Sequence, residues 1–474
     1  MSGKKRILAS ETVNHIGSTV MLQGWVHVRR DMGKIIFIHL RDRSGQVQVV
    51  FVPGECPDYE LAKTLRDEFV VELTGQVVAR GGKNVNPAMV TGTVEIQARS
   101  LSIMAPADTP PFPLDDTRAV NEERRLTYRY LDLRSERMQK NIRLRHRLIT
   151  HIRTYLDQQD FIEVETPYIT KGTPEGAREF IVPARHQPGN FYVLPQSPQQ
   201  FKQLLMVGGI EKYFQIARCF RDEDQRGDRQ AEFTQLDLEM SFVDREDVLA
   251  LNEALLIDLV KNVMPEKRIQ EAPFPRMSYD EAMKKYGTDR PDLRSDPNDP
   301  NLLAFVWILD FPFFEKDEHQ GWTFTHNPFS AAMPQSQADL LAAKNIEHII
   351  AAQYDIVLNG FEIGGGSIRN HERPALEAVF GIMGFDQSRI EANFGHMLAA
   401  FDHGAPPHGG IAWGLDRLVM IMANEPNIRE VIAFPKTGDG RDLMMGAPSP
   451  LPPRALRDAH IELRREETDH GRAL

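Results

Sequence analysis

The 474-residue sequence predicts an all-β N-terminal unit followed by a larger α+β unit built on a largely antiparallel sheet. Three observations carry this. Residues 1–104 hold short strand-rich runs broken by Gly, Asn and Ser. A proline-dense segment, APADTPPFPLDD, follows at 105–116 and disfavours helix and strand interiors. Beyond it, strands and amphipathic helices alternate without a regular βαβ repeat to about residue 440.

In the first unit, VMLQGWVHVRR, KIIFIHLRDRSGQVQVVF, EFVVELTGQVVAR and GTVEIQARSLSIM read as strands, with one helical crossing in YELAKTLRDEF. That pattern suits a small Greek-key barrel of the oligonucleotide-binding (OB) type and, equally, a β-sandwich without a ligand. After the linker, MQKNIRLRHRLITHIRTYLDQQD places Leu148, Ile149, Ile152, Tyr155 and Leu156 on one helical face. FIEVETP then reads as a strand stopped by Pro167. The end of the chain, RREETDHGRAL, reads as a polar, frayed tail.

Net charge is −11, so a nucleic-acid partner cannot be argued from overall charge and needs a local basic patch. The two cysteines, Cys56 and Cys219, offer neither a disulfide framework nor zinc spacing, and suit a reducing compartment. The N-terminal MSGKKRILASETVN lacks the apolar run of a signal peptide, and no stretch of about 18 apolar residues suggests a membrane span.

Four segments carry chemistry. In EFTQLDLEMSF, Thr234, Leu236, Leu238, Met240 and Phe242 share one side of a strand; Phe233, Gln235, Asp237, Glu239 and Ser241 share the other. A ring among carboxylates and amides wants something flat to stack on. Just upstream, Arg221 adjoins Asp222, Glu223 and Asp224, and a guanidinium held by acids suits phosphate or carboxylate. Alone, the strand also fits a half-buried strand with solvated polar groups outside, and the Arg221 stretch a solvated charged hairpin.

In YDIVLNGFEIGGGSIR, Asn359-Gly360 signals a two-residue hairpin. Closing it sets Val357 opposite Glu362 and makes Asp355 and Glu362 diagonal neighbours on one face. Two such carboxylates repel unless a cation intervenes, and Mg²⁺ shared with nucleotide phosphates fits; one raised pKa without metal fits too. Strict alternation puts Arg369 on the opposite face from Glu362, whereas a bulge at the glycines 364–366 restores it. In HGGIAWGLDRLVMIMA, Gly414 leads into a helix burying Leu415, Leu418, Val419 and Met422, with Arg417 in its first turn. TPEGAREF and LPQSPQQFKQLLM add Glu175, Ser197, Gln199 and Lys202.

Together these segments resemble the class II aminoacyl-tRNA synthetases and, over most of the chain, the bacterial-type aspartyl-tRNA synthetases. FIEVETP is similar to the family's dimer-interface motif, FRDEDQRGDRQAEFTQLDLEMSF to its second motif and GGIAWGLDRLVMIMA to its third; LPQSPQQFKQ and GFEIGGGSIR point to aspartate. The resemblance implies an OB-fold anticodon-binding domain at 1–104, a hinge at 105–135, a class II catalytic domain at 136–445 and a tail at 446–474. It implies ATP and L-aspartate as substrates, Mg²⁺ as cofactor, tRNA-Asp as partner, and a cytoplasmic homodimer.

The implied roles are residue-specific. Arg221 bridges the α-phosphate and the attacking carboxylate, Phe233 stacks on adenine, and Asp222, Glu223 and Gln230 line the ATP pocket. Arg417 holds the γ-phosphate, with Gly414, Leu415 and Asp416 beside it, and Asp355 and Glu362 hold Mg²⁺. Arg369 and Lys202 meet the substrate's side-chain carboxylate, oriented by Asp237, while Glu175, Ser197 and Gln199 meet its ammonium. On this reading asparagine is refused because it leaves Arg369 and Lys202 unpaired. His326 is a further aspartate contact. Arg30, Met32, Phe37 and Gln48 fall at anticodon-reading positions.

The sequence departs from the family pattern in three places. The additional domain between the second and third motifs is essentially absent near 292–306. His326 is followed by Asn327, where relatives carry a second histidine. Met32 stands where relatives that charge both tRNA-Asp and tRNA-Asn often carry histidine, which favours tRNA-Asp; a ligase charging both is the alternative. A catalytically silent RNA-binding relative would have lost the motif arginines or metal acids, and Arg221, Arg417, Asp355 and Glu362 are all present.

Overall fold

A computed structural model describes residues 5–172 and 176–464. The chain divides into two compact units, Met1–Thr117 and Arg118–Leu474.

In the first unit β1 (Thr19–Met32), β2 (Ile35–Asp42), β3 (Gly45–Phe51), β4 (Val70–Ala79) and β5 (Val94–Ala105) close into a barrel in the order β1-β2-β3-β5-β4. Closure decides for the barrel over the sandwich. Alternation drives it: Leu22, Ile38, Val49, Leu73 and Ile96 are buried, while residues between them face outward. A helical turn at Tyr59–Ala62 joins β3 to β4, and Ala62 and Leu65 pack on the same core.

The segment 105–135 is more structured than its prolines suggest. Residues to Thr117 belong with the barrel unit, and the helices Glu122–Thr127 and Arg129–Asp132 belong with the second unit. Ion pairing holds them there: buried Arg125 reaches Glu430 at 2.8 Å and Asp132 at 3.2 Å, and Arg129 donates to the Ala433 carbonyl at 2.9 Å.

The second unit is built on an eight-stranded sheet. Its strands are β6 (Ile162–Glu163), β7 (Lys212–Phe220), β8 (Glu232–Ser241), β9 (Arg276–Ser278), β10 (Phe305–Leu309), β11 (Gln353–Leu358), β12 (Phe361–Ile368) and β13 (His408–Gly414). They lie in the order β9-β10-β11-β12-β13-β8-β7-β6, antiparallel except for the outer pairs β9–β10 and β6–β7. One face packs on α1 (Glu136–Asp157), α3 (Arg245–Val263) and α4 (Leu415–Met422) through Leu148, Ile152, Leu236, Leu238, Leu255 and Leu418. The other face is polar at its centre and lies under α2 (Gln199–Val207).

Two local expectations need correction. FIEVETP forms a strand only at Ile162–Glu163, parallel to the sheet edge, so ladder pairing stops well before Pro167. Phe242 leaves the apolar row: its φ is +59° and it is 68% exposed, since β8 ends at Ser241. Between the helix Tyr279–Tyr286 and Leu302 the chain runs as a loop, braced by Arg294 on Asp292.

Candidate active site

The polar face is a trough because of register. Gln215, Asp237, Ala412, Gly365 and Asp355 are successive cross-strand partners over β7, β8, β13, β12 and β11. The next row is Tyr213, Glu239, Gly410, Ser367 and Gln353. In both rows the central residues are small and the flanking ones carry carboxylate, amide or, at Tyr213, hydroxyl groups. A Cβ on Gly410 would lie 2.1 Å from the Leu238 carbonyl and 2.2 Å from Glu239 Oε2, so only glycine fits that floor.

The Asn359-Gly360 turn has φ of +51° and +83°, as a type I′ hairpin requires. Val357 pairs with Glu362 as expected, but Ile356 pairs with Gly364, leaving Ile363 as an extra residue. This bulge reverses the parity of β12. Glu362 therefore shares a face with Gly365, Ser367 and Arg369, while Ile363 joins the apolar core.

Arg369 is 2% exposed and Lys202 1%. Arg369 donates to Glu239 at 2.8 and 3.1 Å and to Ser367 Oγ at 2.8 Å. Lys202 Nζ lies 2.5 Å from Asp237 Oδ1 and 3.2 Å from Glu239 Oε2. Burial alone would raise the Glu239 pKa; the charges of Arg369 and Lys202 outweigh it and hold the carboxyl at about 2. The two cations are thus neutralised by two carboxylates without substrate, which corrects the expectation that asparagine would leave them unpaired. Asp237 Oδ2 is buried with no hydrogen-bond partner among the described residues.

On the α2 side, the Ser197 hydroxyl accepts from the Gln199 amide at 3.3 Å, and Gln199 donates to Gln203 at 3.0 Å. Gln196 grips the Ala177 peptide at both ends, each contact 3.0 Å. Glu175 lies outside the described residues. His326 sits edge-on to Phe311, ring centroids 4.6 Å apart; burial lowers its pKa, and Glu362 is the strongest opposing charge. Its electrostatic surroundings thus include Glu362 of the trough.

At the other end of β8, the Arg221 guanidinium stands 5.1 Å over the Phe233 ring. Arg417 donates to the Glu362 carbonyl and pairs with Asp228 at 3.1 Å. The Nε atoms of both arginines are buried without hydrogen-bond partners among the described residues, as suits donors built for an anion. Glu223 lies 3.5 Å from Arg229, and exposed Asp222 is tied by its backbone to Arg178.

The nucleotide-side residues differ in what they leave free. Asp416 spends both oxygens structurally, one on Arg145 of α1 and one on the Thr234 amide at 2.8 Å. Leu415 is wholly within the core. With Gly414, the N-cap of α4, these two have backbone alone to offer a phosphate. Gln230 is buried, donating to Gln225 at 2.7 Å and accepting from the Lys436 amide at 2.8 Å, so it braces the loop.

Asp355 is buried, and burial, then Glu362, pushes its carboxyl well above the usual range. Among the described residues no group of three or more His, Cys, Asp and Glu side chains forms a metal cage. A paired carboxylate site completed by phosphate oxygens fits Mg²⁺; an all-protein structural site does not.

On the barrel, Arg30 and Phe37 are direct cross-strand partners, and His39 pairs with Gln48 one step along. Phe37 is half-buried and outward-facing; Gln48 donates to Glu95 at 2.8 Å. Met32 ends β1 at the hairpin tip, 67% exposed.

A barrel carrying outward aromatic and basic groups, joined to an antiparallel sheet with arginines at a trough, defines a class of protein, and the sequence comparisons agree. The model of class II tRNA synthetases (D, K and N) matches residues 121–438, and that of OB-fold nucleic acid binding domains matches 20–104. The chain belongs to the class II aminoacyl-tRNA synthetases and is a ligase of that kind. Within that class, the aspartate–tRNA(Asp/Asn) ligase of Rubrobacter xylanophilus is 41% identical, with 95% of each chain covered. The aspartate–tRNA ligase of Bacillus licheniformis is 39% identical over 98% of this chain and 100% of that one. The first alignment runs to 574 positions against 474 residues here, so a minimum of 100 positions lack a counterpart. Asparaginyl-tRNA synthetase of Pyrococcus horikoshii with asparaginyl-adenylate shares the fold at 23% identity, TM-score 0.73, covering 92% of this chain and 99% of that one.

Sequence reasoning had placed Glu239 on the polar face but gave it no role; its signal was the two-residue step from Asp237. Gln203 and His408 were missed because their contact joins residues 205 positions apart, and Gln353 and Ser367 because an amide and a hydroxyl two residues from Asp355 and Arg369 carry no signal by themselves.

Proposed function

We propose that the protein attaches L-aspartate to tRNA-Asp through aspartyl-adenylate. The carrying observation is one polar sheet face that has Arg369 and Lys202 paired at Asp237 and Glu239 and, toward the opposite end of β8, the orphaned donors of Arg221 and Arg417. Aspartate's α-carboxylate attacks the α-phosphorus of ATP and pyrophosphate leaves; a terminal ribose hydroxyl of tRNA then attacks the acyl carbon and AMP leaves. Arg221 stabilises charge at the α-phosphate and Arg417 the departing end. Adenine replaces the Arg221 guanidinium on Phe233. Asp355 and Glu362 hold Mg²⁺, which neutralises triphosphate charge when bound.

Selectivity comes from donor geometry. Arg369 and Lys202 can only donate, so a carboxylate is accepted and the NH₂ of asparagine meets donor against donor. Glu175, Ser197, Gln199 and Asp237 Oδ2 receive the ammonium. Arg30, Phe37 and Gln48 read the anticodon, and Met32 favours tRNA-Asp. Exposed Ile162 and Ile169 beside the first motif support a homodimer, and two buried free cysteines fit a reducing, cytoplasmic setting.

Pyrophosphate–ATP exchange across all twenty amino acids tests this: aspartate alone supports exchange, and exchange driven by another amino acid would overturn the substrate. Charging of purified tRNA-Asp and tRNA-Asn at equal rates would extend the acceptor range to both.

A further inference from the structure

His408 opens β13 fully buried, opposite Ser241, and the proposed chemistry makes no use of it. Both ring nitrogens are engaged. Nδ1 lies 2.7 Å from the Pro406 carbonyl, and Nε2 lies 3.1 Å from the Gln203 side-chain nitrogen. A carbonyl only accepts, so Nδ1 carries the proton; an amide nitrogen only donates, so Nε2 is bare. Gln203, also fully buried, turns its oxygen away from the imidazole and accepts from Gln199 Nε2 at 3.0 Å. Gln199 then has its Oε1 left over, and no described residue donates to it.

We infer that His408 is a positioning residue for amino-acid binding: through Gln203, its neutral tautomer fixes the Gln199 amide with the oxygen, an acceptor, toward the substrate's ammonium. This rests on the proposed contact between Gln199 and that ammonium. The relay has a reverse state. A second proton on His408 makes Nε2 a donor, so Gln203 must turn its oxygen to the ring and its nitrogen to Gln199. Gln199 then turns its own oxygen inward and presents NH₂ to an ammonium.

The surroundings of the ring set which state prevails. Glu239 on β8 favours the charged imidazole. Against it stand Arg369, whose amide donates to the His408 carbonyl at 2.9 Å, and His371, whose ring centroid is 6.3 Å away; Phe401 closes another side at 6.3 Å. Burial is the largest influence and, with Arg369 and His371, holds His408 below the ordinary histidine range despite Glu239. The acceptor state therefore holds at neutral pH, and the reverse state belongs to acid conditions.

The test is the pH profile of the aspartate KM in pyrophosphate–ATP exchange, with the ATP KM followed in parallel. In the wild type the aspartate KM is flat near neutrality and rises about tenfold or more toward acid pH, the scale of one hydrogen bond to a charged group, while the ATP KM does not follow. Gln203→Leu and His408→Phe raise the aspartate KM at pH 7.5 by a similar factor and lose the acid rise. Gln199→Glu accepts with either oxygen and needs no amide to orient it, so combined with Gln203→Leu, where no Gln203 oxygen faces it, it restores a low KM without the acid rise. A wild-type KM and an unchanged acid rise in Gln203→Leu would overturn the relay, even should His408→Phe fail to fold. An unchanged KM in Gln199→Leu would instead overturn the ammonium contact itself, so the two failures are separable.

Discussion

Arg369 and Glu239 hold each other at two points, 2.8 and 3.1 Å apart, with both side chains out of contact with water. Glu239 lies on β8 and Arg369 directly follows β12, with β13 between the two strands, so the pair fixes the width of the trough as well as its charge. Breaking such a pair on one side leaves a buried charge alone. Glu239→Gln is therefore expected to lower unfolding free energy by about 3–5 kcal/mol at pH 7. The folded carboxyl has a pKa of about 2, below its ordinary value of about 4.3. Its stabilisation is thus full above that ordinary value and lost as pH falls toward 2. Urea unfolding at pH 7 and pH 3 checks this: the gap between wild type and variant narrows at pH 3.

Asp355 behaves in the opposite sense. Its folded pKa is raised, so ionising it costs stability, and the cost appears as pH rises above about 4. Asp355→Asn is expected to stabilise the ligand-free protein at pH 7. It is also expected to lose most of the Tm gain, of several degrees, that ATP with Mg²⁺ confers on the wild type by binding the native state. Thermal melts with and without ATP and Mg²⁺ distinguish this from a simple loss of packing.

How much of this was readable in advance follows from the range of each interaction. Strand alternation placed Asp237 and Phe233 on one face, and the Asn359-Gly360 turn placed Val357 opposite Glu362, because both are local rules. The parity of Arg369 was undecidable until the bulge at Ile363 was seen; any of several positions near the glycines could have absorbed the extra residue. The helices within 105–135 were invisible because their stability comes from Glu430 and Asp132 pairing with Arg125, and Glu430 lies 305 residues away. The charge balance of Lys202 and Arg369 was missed for the same reason. Motif residues name the cations, but only packing shows that Glu239 already neutralises them.

Asp416 illustrates a motif residue with a structural duty. It joins the start of α4 to Arg145 of α1 and to the backbone of β8 next to Phe233. Asp416→Asn keeps the shape but replaces one acceptor with a donor facing Arg145. A loss of about 2–3 kcal/mol in unfolding free energy is expected, the scale of a charged hydrogen bond left unmade. The ATP KM changes little at temperatures where the variant is folded. Denaturant titration paired with exchange kinetics at 15 °C and 37 °C checks it; a rise in ATP KM without loss of stability would return Asp416 to the nucleotide site.

Phe37 tests the division of labour between the two units. It faces outward from β2 beside its cross-strand partner Arg30, a ring and a guanidinium presented together on the barrel surface. Single-stranded bases stack on such rings for about 1–3 kcal/mol each, and the contact is made by RNA alone. Phe37→Ala removes no buried core, since the inward row of β2 is Ile36, Ile38 and Leu40. Stability is therefore expected to hold, and aspartate-dependent pyrophosphate exchange in the absence of tRNA to be unchanged. The KM for tRNA in aminoacylation is expected to rise about fivefold to a hundredfold, the same energy expressed as an affinity. Measuring exchange and charging on one preparation checks both halves: a defect in exchange would mean that the barrel takes part in the first step, and an unchanged tRNA KM would move base recognition elsewhere on the barrel.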